Sequence, residues 1–435
     1  MNLLQRPHAE LAEARRNNNE SNLQQWVGER TGLGSSLNPR TLEQFQFARL
    51  REQLNYARSH SPYYSGRLQA LDIESIRDRS SLPLLPFTPA QALREEPQKL
   101  CCISGSEAVR VTTLNTSGSS GDTKRVWFSQ ADLARTIEFF AKGMAVMVGP
   151  GQRALVLLSG STPDSLGDLL GRALTGMGVN PVIHGPVRET AAALRAAEKA
   201  DCIVALPVQL NRLCLQAPNL RPATVLLTAD YIPQGIIDNI QNVWGSKVFT
   251  HYGMTESGFG LAVQCDAHEA HHLRDAEFIV EIADPASGQP LSDGQWGELV
   301  LTSLCNEAMP LIRYRTGDIT RRVVEPCACG GTLARLDKIK GRISGIDQKY
   351  SIYALDEALF RLPGLLDYRA SILNDNELDL TMDILSAGLP ADLSAYSEDE
   401  LRQALNAEGL EPTVLKFRME TLPVFSGSAK RSVIC

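Results

Sequence analysis

The sequence predicts an α/β protein in two parts: a large N-terminal region of mixed, mostly parallel sheets with helices plus a β subdomain, and a small C-terminal α+β domain. Three observations predict it. From about residue 110 to 300, short apolar runs alternate with amphipathic segments of helical length, the signature of parallel strands joined by covering helices. Residues 294–323 are then β-rich and Gly-punctuated, and beyond Lys340 short helical and strand-like segments alternate.

Taken in order, residues 1 to about 40 are a poorly defined N-terminal extension. Met1 to Gly28 carries charges and an Asn17-Asn18-Asn19 run without an apolar core, so it is not expected to be a secretory signal. Residues 40–70 place Phe45, Leu50, Leu54 and Tyr56 at near-helical spacing, and Ser61-Pro62 is expected to end that helix. SLPLLPFTP holds three prolines in nine residues and reads as an extended connection. Buried strands are expected at 154–160, 202–206, 223–229 and 246–253, with helices at 165–178 and 187–200 between them. GQWGELVLTSL and PLIRYRTGDITRRV supply the β subdomain. A boundary near Lys340 divides 1–340 from 341–435, where the C-terminal segments would form a small mobile domain.

Bulk properties exclude several classes. The 435 residues carry a formal net charge of −7, which disfavours a nucleic-acid-binding surface. No run approaches the ~18 apolar residues of a membrane span, so a cytoplasmic location is expected. Nine cysteines without an export signal argue against a disulfide scaffold. Most sit in apolar surroundings, as Cys202 and Cys214 do, and read as core residues.

Four constellations carry chemistry. Thr116-Ser117-Gly118-Ser119-Ser120-Gly121, followed by Lys124 and Arg125, is a loop whose backbone N–H groups and hydroxyls suit phosphate oxygens; it does not match the Walker pattern. His251-Tyr252-Gly253-Met254-Thr255-Glu256 follows a predicted strand and offers a ring, a hydroxyl and a carboxylate, the last suited to Mg²⁺. In Tyr314-Arg315-Thr316-Gly317-Asp318, an aspartate after a glycine turn can accept from both hydroxyls of a ribose. Gly341-Arg342 places an arginine at the predicted hinge. Separately, Cys265 precedes His268, His271 and His272, and Cys327-Ala328-Cys329-Gly330 forms a knuckle able to present two thiolates to one tetrahedral metal.

In this order and spacing, with GEL (297–299) between the second and third, the motifs resemble the adenylate-forming superfamily of acyl-CoA synthetases, luciferase and adenylation domains. FARLREQLNYARSHSPYYSGRL and LPLLPFTPAQALRE are similar, more specifically, to phenylacetate–coenzyme A ligases. The resemblance implies an AMP-forming acid–thiol ligase: ATP and a carboxylic acid, aryl acids favoured, give an acyl-AMP, and coenzyme A then takes the acyl group. It implies that Thr116 to Gly121 and Lys124 hold phosphates, and that Tyr252 and Gly253 line the adenine pocket. Thr255 and Glu256 would act at the α-phosphate and Mg²⁺, Asp318 would hold the ribose, and Arg342 would assist from the hinge. It also implies that Cys265, His272, Cys327 and Cys329 close a structural zinc site. Relatives are often homodimers; neither a nucleic-acid nor a membrane partner is implied.

The sequence departs from the family at three places. The C-terminal lysine of the adenylation step is replaced by Ser428, leaving Lys430 two residues on as the candidate catalytic cation. Asp122 stands in the phosphate loop where lysine is common, and GRISGIDQKYS lacks the paired aspartates of phenylacetate ligases. Two alternatives stay open on this basis: transfer to a protein thiol, with Cys435 as acyl carrier, and a nucleotide-binding regulatory or scaffold protein that has lost catalysis. Phe139, Phe140 and Met144 could contact an acyl group, although their helical spacing also suits a core.

Overall fold

The computed structural model describes residues 22–115, 123–343, 350–374, 377–385, 396–424 and 433. Helix α1 (Asn22–Thr31) packs Trp26 into the core. Helix α2 (Pro39–His60) starts where Asn38 accepts from the backbone N–H groups of Arg40 and Thr41, with Pro39 at its first turn. It stops at Ser61, before Pro62, as the sequence indicates. Its buried stripe is Leu42, Gln46, Phe47, Leu50, Gln53, Leu54 and Ala57. Phe45 and Tyr56, expected on that face, are only half-buried, because they sit two residues from Phe47 and Leu54 and so point off the stripe. The expected extended connection is partly a 3₁₀ turn, Arg79–Leu84, capped by Asp78; the fixed φ of Pro83 suits that backbone.

A hairpin of β1 (Arg110–Asn115) and β2 (Thr123–Phe128) leads into α3 (Gln130–Met144), capped by a reciprocal Ser129–Asp132 pair. The alternating region follows: β3 (Arg153–Val156), α4 (Leu166–Gly176), β4 (Asn180–Ile183), α5 (Thr190–Ala197), β5 (Cys202–Ala205), α6 (Pro207–Gln216), β6 (Thr224–Leu227), α7 (Gln234–Trp244) and β7 (Lys247–Tyr252). Then come β8 (Ala262–Gln264), β9 (His271–Leu273), β10 (Phe278–Ala283), β11 (Gly297–Ser303), β12 (Tyr314–Thr320), β13 (Arg335–Leu336) and β14 (Gly341–Arg342). The last elements are α8 (Ile352–Leu359), β15 (Leu365–Asn374), β16 (Glu377–Ile384), α9 (Glu398–Asn406) and β17 (Val414–Met419).

The largest sheet has the order β13-β9-β8-β7-β6-β5-β3-β4. Its β4-β3-β5-β6-β7 half is parallel and its β7-β8-β9-β13 half antiparallel. A second sheet, β10-β11-β12-β14, is antiparallel throughout. Gly341 and Arg342 pair with Ile319 and Asp318 there, so the residues at the expected boundary belong to the second sheet. In the third sheet β16 pairs antiparallel with β15 and parallel with β17.

The third sheet leans on α6 of the large part. Asn211 donates to the Leu365 carbonyl at 2.8 Å, and Arg212 pairs with Asp383 at 2.7 Å with both side chains buried. One apolar cluster runs through this junction, from Leu213 and Trp244 to Phe360, Leu365 and Leu380. Among the described residues no helix is long and apolar enough to cross a membrane.

Candidate functional site

In open parallel sheets ligands bind beyond the carboxyl ends of the strands, and residues of all four motifs are candidates to meet there. β7 ends in His251 and Tyr252, and the chain then turns through Gly253 into a single 3₁₀ turn, Thr255–Ser257, closed by Gly258 at φ +66°. Gly253 is required by space: a Cβ there would lie 2.1 Å from the Phe259 carbonyl oxygen and 2.8 Å from the His251 ring. This turn tucks Glu256 inward, where it is buried, while Thr255 stays half-exposed.

Glu256 meets two partners from distant strands. Lys124, on β2, donates to its Oε1 at 3.0 Å and to the Tyr314 hydroxyl at 2.8 Å; Tyr314 in turn donates to Oε1 at 2.8 Å. Burial alone would raise the Glu256 carboxyl, but the Lys124 ammonium and the Tyr314 hydrogen bond hold it below its ordinary value. Burial, with Glu256 alongside, pushes the Tyr314 phenol well above its usual range.

Asp318 centres the adjoining cluster. Its Oδ2 accepts from the Tyr252 hydroxyl at 2.7 Å, and its Oδ1 accepts from Arg342 Nε at 2.7 Å, across the β12–β14 pair. Each carboxylate oxygen can accept more than one donor, so room remains for two hydroxyls. The turn presenting Asp318 is braced by Glu298 of GEL, which accepts from Gly317 N at 3.0 Å and Arg315 Nε at 2.6 Å. Gly317 sits at φ +79°, which only glycine takes readily. Burial works against the Arg342 charge, but Asp318 and Tyr353 hold it above the usual arginine value. Tyr353 itself packs edge-on against Tyr231, at 4.9 Å between centroids.

Beneath His251 lies an apolar cavity of about 30 Å³, walled by Phe139, Phe140 and Met144 of α3, Leu170 of α4 and Val263 of β8. The three α3 residues line this cavity and are part of the core at once.

A second cluster lies at the antiparallel end of the large sheet. Cys265, His272, Cys327 and Cys329 bring four ligand atoms within 4.8 Å of one another. Cys265 and Cys327 sulfurs are 3.6 Å apart, and Cys329 Sγ is 3.4 Å from His272 Nε2. A tetrahedral zinc with the usual bond lengths calls for about 3.8 Å and about 3.6 Å for these separations. Gly331 N donates to Cys329 Sγ, and a Cβ on Gly331 would crowd that sulfur at 3.3 Å. Burial pushes the His272 ring's pKa down to about 4, which leaves it neutral and able to ligate. His271 and His268 turn elsewhere: one reaches Thr250 at 2.7 Å and the other packs on Phe249.

Residues 107–306 match the family described as AMP-binding enzyme. A phenylacetate–coenzyme A ligase of Thermus thermophilus is 30% identical over 318 residues, covering 69% of this chain and 70% of that protein. The chain belongs to the phenylacetate–coenzyme A ligase family. The Escherichia coli enzyme of that name is 28% identical over 315 residues, covering 69% of this chain and 71% of its own. Among solved structures, 2-hydroxyisobutyryl-CoA ligase in its postadenylation state with R3-HIB-AMP is similar at a TM-score of 0.77, with 20% identity, over 92% of this chain and 90% of that one. The same ligase in its thioesterification state gives 0.65. This likeness is one of fold.

Within this phenylacetate–coenzyme A ligase family member, the structure brings Lys124, Tyr252, Gly253, Thr255, Glu256, Asp318 and Arg342 together around the end of β7. Lys124, expected at the edge of the phosphate loop, is placed on Glu256. Thr116 to Gly121, Asp122, Ser428, Lys430 and Cys435 lie outside the described residues. Tyr314, Glu298 and His251 are not among the site residues the sequence singles out. All three stand inside the motifs, without a role assigned to them there; membership of a motif is the available signal.

Proposed function

We propose that this enzyme joins a carboxylic acid, preferably an aryl acid, to coenzyme A through an acyl-AMP. The observation that carries this reading is the convergence of Tyr252, Asp318 and Arg342 on one side and Lys124, Glu256 and Tyr314 on the other, with an apolar cavity alongside.

A carboxylate oxygen of the acid attacks the α-phosphorus of ATP, the bond to the bridging oxygen breaks, and pyrophosphate leaves. The coenzyme A sulfur then attacks the acyl carbon, the bond to the phosphate oxygen breaks, and AMP leaves as the thiol proton is lost. The chain's part is alignment and charge stabilisation. Tyr252 and Gly253 face the base, Asp318 accepts from the ribose hydroxyls, Arg342 steadies Asp318, and Thr255 donates at the α-phosphate. Thr116 to Gly121 wrap the phosphates, and Lys430 supplies the cation at the bridging oxygen. Glu256 fits magnesium, as a buried carboxylate beside phosphates does; the ion would neutralise phosphate charge, and Lys124 would pass from Glu256 to a phosphate oxygen. The part of the chain after β14 acts as a mobile C-terminal domain, and the reading includes a cytoplasmic homodimer.

Pyrophosphate release with Mg·ATP across aryl and aliphatic acids tests the reading. Release that depends on one acid, with thioester formed once coenzyme A is added, is the expected result. ATP binding without pyrophosphate release on any acid would sink it.

The Cys265, His272, Cys327 and Cys329 set is proposed to hold structural zinc. All four positions are protein ligands, so none is open for catalysis. Protein purified without chelator should carry one zinc per chain by plasma emission, and Cys327→Ser with Cys329→Ser should lose it together with thermal stability. Equal zinc in both proteins would remove the assignment.

A further inference from the structure

The acyl cavity contains a polar feature that an unsubstituted aryl acid would leave unused. Among its described lining residues only Thr228 and His251 bear polar side chains. They meet each other: His251 Nδ1 lies 2.9 Å from Thr228 Oγ1. The other ring nitrogen, Nε2, is buried and has no hydrogen-bond partner among the described residues. Buried polar atoms are ordinarily paired, and one left alone calls for an explanation. The Phe139 and Phe140 rings, each 6.3 Å away between centroids, offer only their faces or edges.

We propose that the acid activated by this enzyme carries a hydroxyl group that hydrogen-bonds to His251 Nε2. The inference rests on the ligase reading and specifies its substrate. Burial, with His271 and Arg274 adding, pushes the His251 pKa down to about 3, so the ring is neutral and holds one proton. If Thr228 donates to Nδ1, Nε2 carries the proton and can donate; if Nδ1 donates to Thr228, Nε2 can accept. A hydroxyl pairs with either tautomer, because Thr228 can rotate its own proton to suit. A carbonyl pairs with only one. An ammonium or second carboxylate would meet no charged group among the described lining residues and would be desolvated among Phe139, Phe140, Met144 and Leu170. The body of the acid is therefore apolar and bears one neutral polar group. The cavity of about 30 Å³ holds little more than a water-sized group, so a ring enters as the flexible Met144 and Met147 side chains swing aside.

The test compares matched acids by kcat/KM for pyrophosphate release: benzoate with 3- and 4-hydroxybenzoate, phenylacetate with its ring-hydroxylated forms, and butanoate with 2- and 3-hydroxybutanoate. In the wild type one hydroxylated acid is expected to exceed its parent by about 10- to 100-fold, the size of effect that follows from leaving a buried partner unpaired. His251→Leu should lower the value for that acid and raise it for the parent, bringing their ratio toward one. Equal use of parent and hydroxylated acids by the wild type overturns the proposal without any variant, as does a preference that survives His251→Leu. Turnover of the parent acids keeps the ligase reading intact in those cases. Silence on every acid, despite ATP binding, overturns the ligase reading and this proposal with it.

Discussion

Glu256→Gln is expected to cut acid-dependent pyrophosphate release by roughly 100- to 1,000-fold, the scale at which removing one preorganised charge-stabilising group acts. The carboxylate is buried, and its Oε1 is shared by Lys124 and Tyr314. Glutamine keeps the shape and an acceptor oxygen but gives up the charge that would draw a magnesium ion and release Lys124. It also leaves the Lys124 ammonium buried beside a neutral amide, so some stability is lost, up to about 3–5 kcal/mol for breaking a buried pair. The double variant Lys124→Met with Glu256→Gln removes both charges and should recover part of that stability without recovering activity. Thermal melts and pyrophosphate release, measured on the two single variants and the double, separate the effects. A double variant as unstable as the sum of the singles would mean that the pair contributes nothing together. Because the folded Glu256 pKa is lowered, its stabilising contribution is full above the ordinary glutamate value of 4.5 and is lost as pH falls through the lower folded value. The stability gap between wild type and Glu256→Gln should therefore narrow on acidification.

Asp318→Asn should raise KM for ATP by about 10- to 100-fold, since hydrogen bonds to a charged acceptor are each worth about 1.5–3 kcal/mol. The amide nitrogen replaces an oxygen that now accepts from Tyr252 or Arg342, so one of those partners is left unpaired. A purely structural role would lower stability without changing how the enzyme treats the sugar. Initial rates with ATP and with 2′,3′-dideoxy-ATP distinguish these. The wild type should disfavour the dideoxy nucleotide, and Asp318→Asn should treat the two alike. Unchanged discrimination in the variant would assign the ribose to other groups.

The legibility of the site follows the range of its contacts. Tyr252-Gly253-Met254-Thr255-Glu256 after a strand, and Gly317-Asp318 after GEL, are local: a strand end, a turn that needs glycine and an acidic residue lie within a few positions of one another. What Glu256 touches is not legible there. Lys124 comes from a hairpin 132 positions away and Tyr314 from the second sheet, 58 positions on. Sequence neighbours make Lys124 a phosphate-loop cation; in the fold it donates to Tyr314 and Glu256. His251 escapes a sequence reading because a histidine at the end of an apolar strand has no local mark separating a core ring from one facing a cavity.

The sequence by itself determined the alternation of strands and helices, the caps that begin α2 and α3, the stop at Ser61-Pro62 and the turns that need Gly253 and Gly317. These depend on side-chain period, backbone freedom and hydrogen bonds within a few residues, all carried by a short stretch of chain. Only the tertiary structure decided the sheet order and the antiparallel character of β10-β11-β12-β14. It also decided that Tyr252 and Arg342 meet on the one carboxylate of Asp318. Those outcomes depend on which strands become neighbours and in what register. That choice is settled by burial of whole faces against one another, to which each segment's own pattern contributes only the requirement that a face be buried.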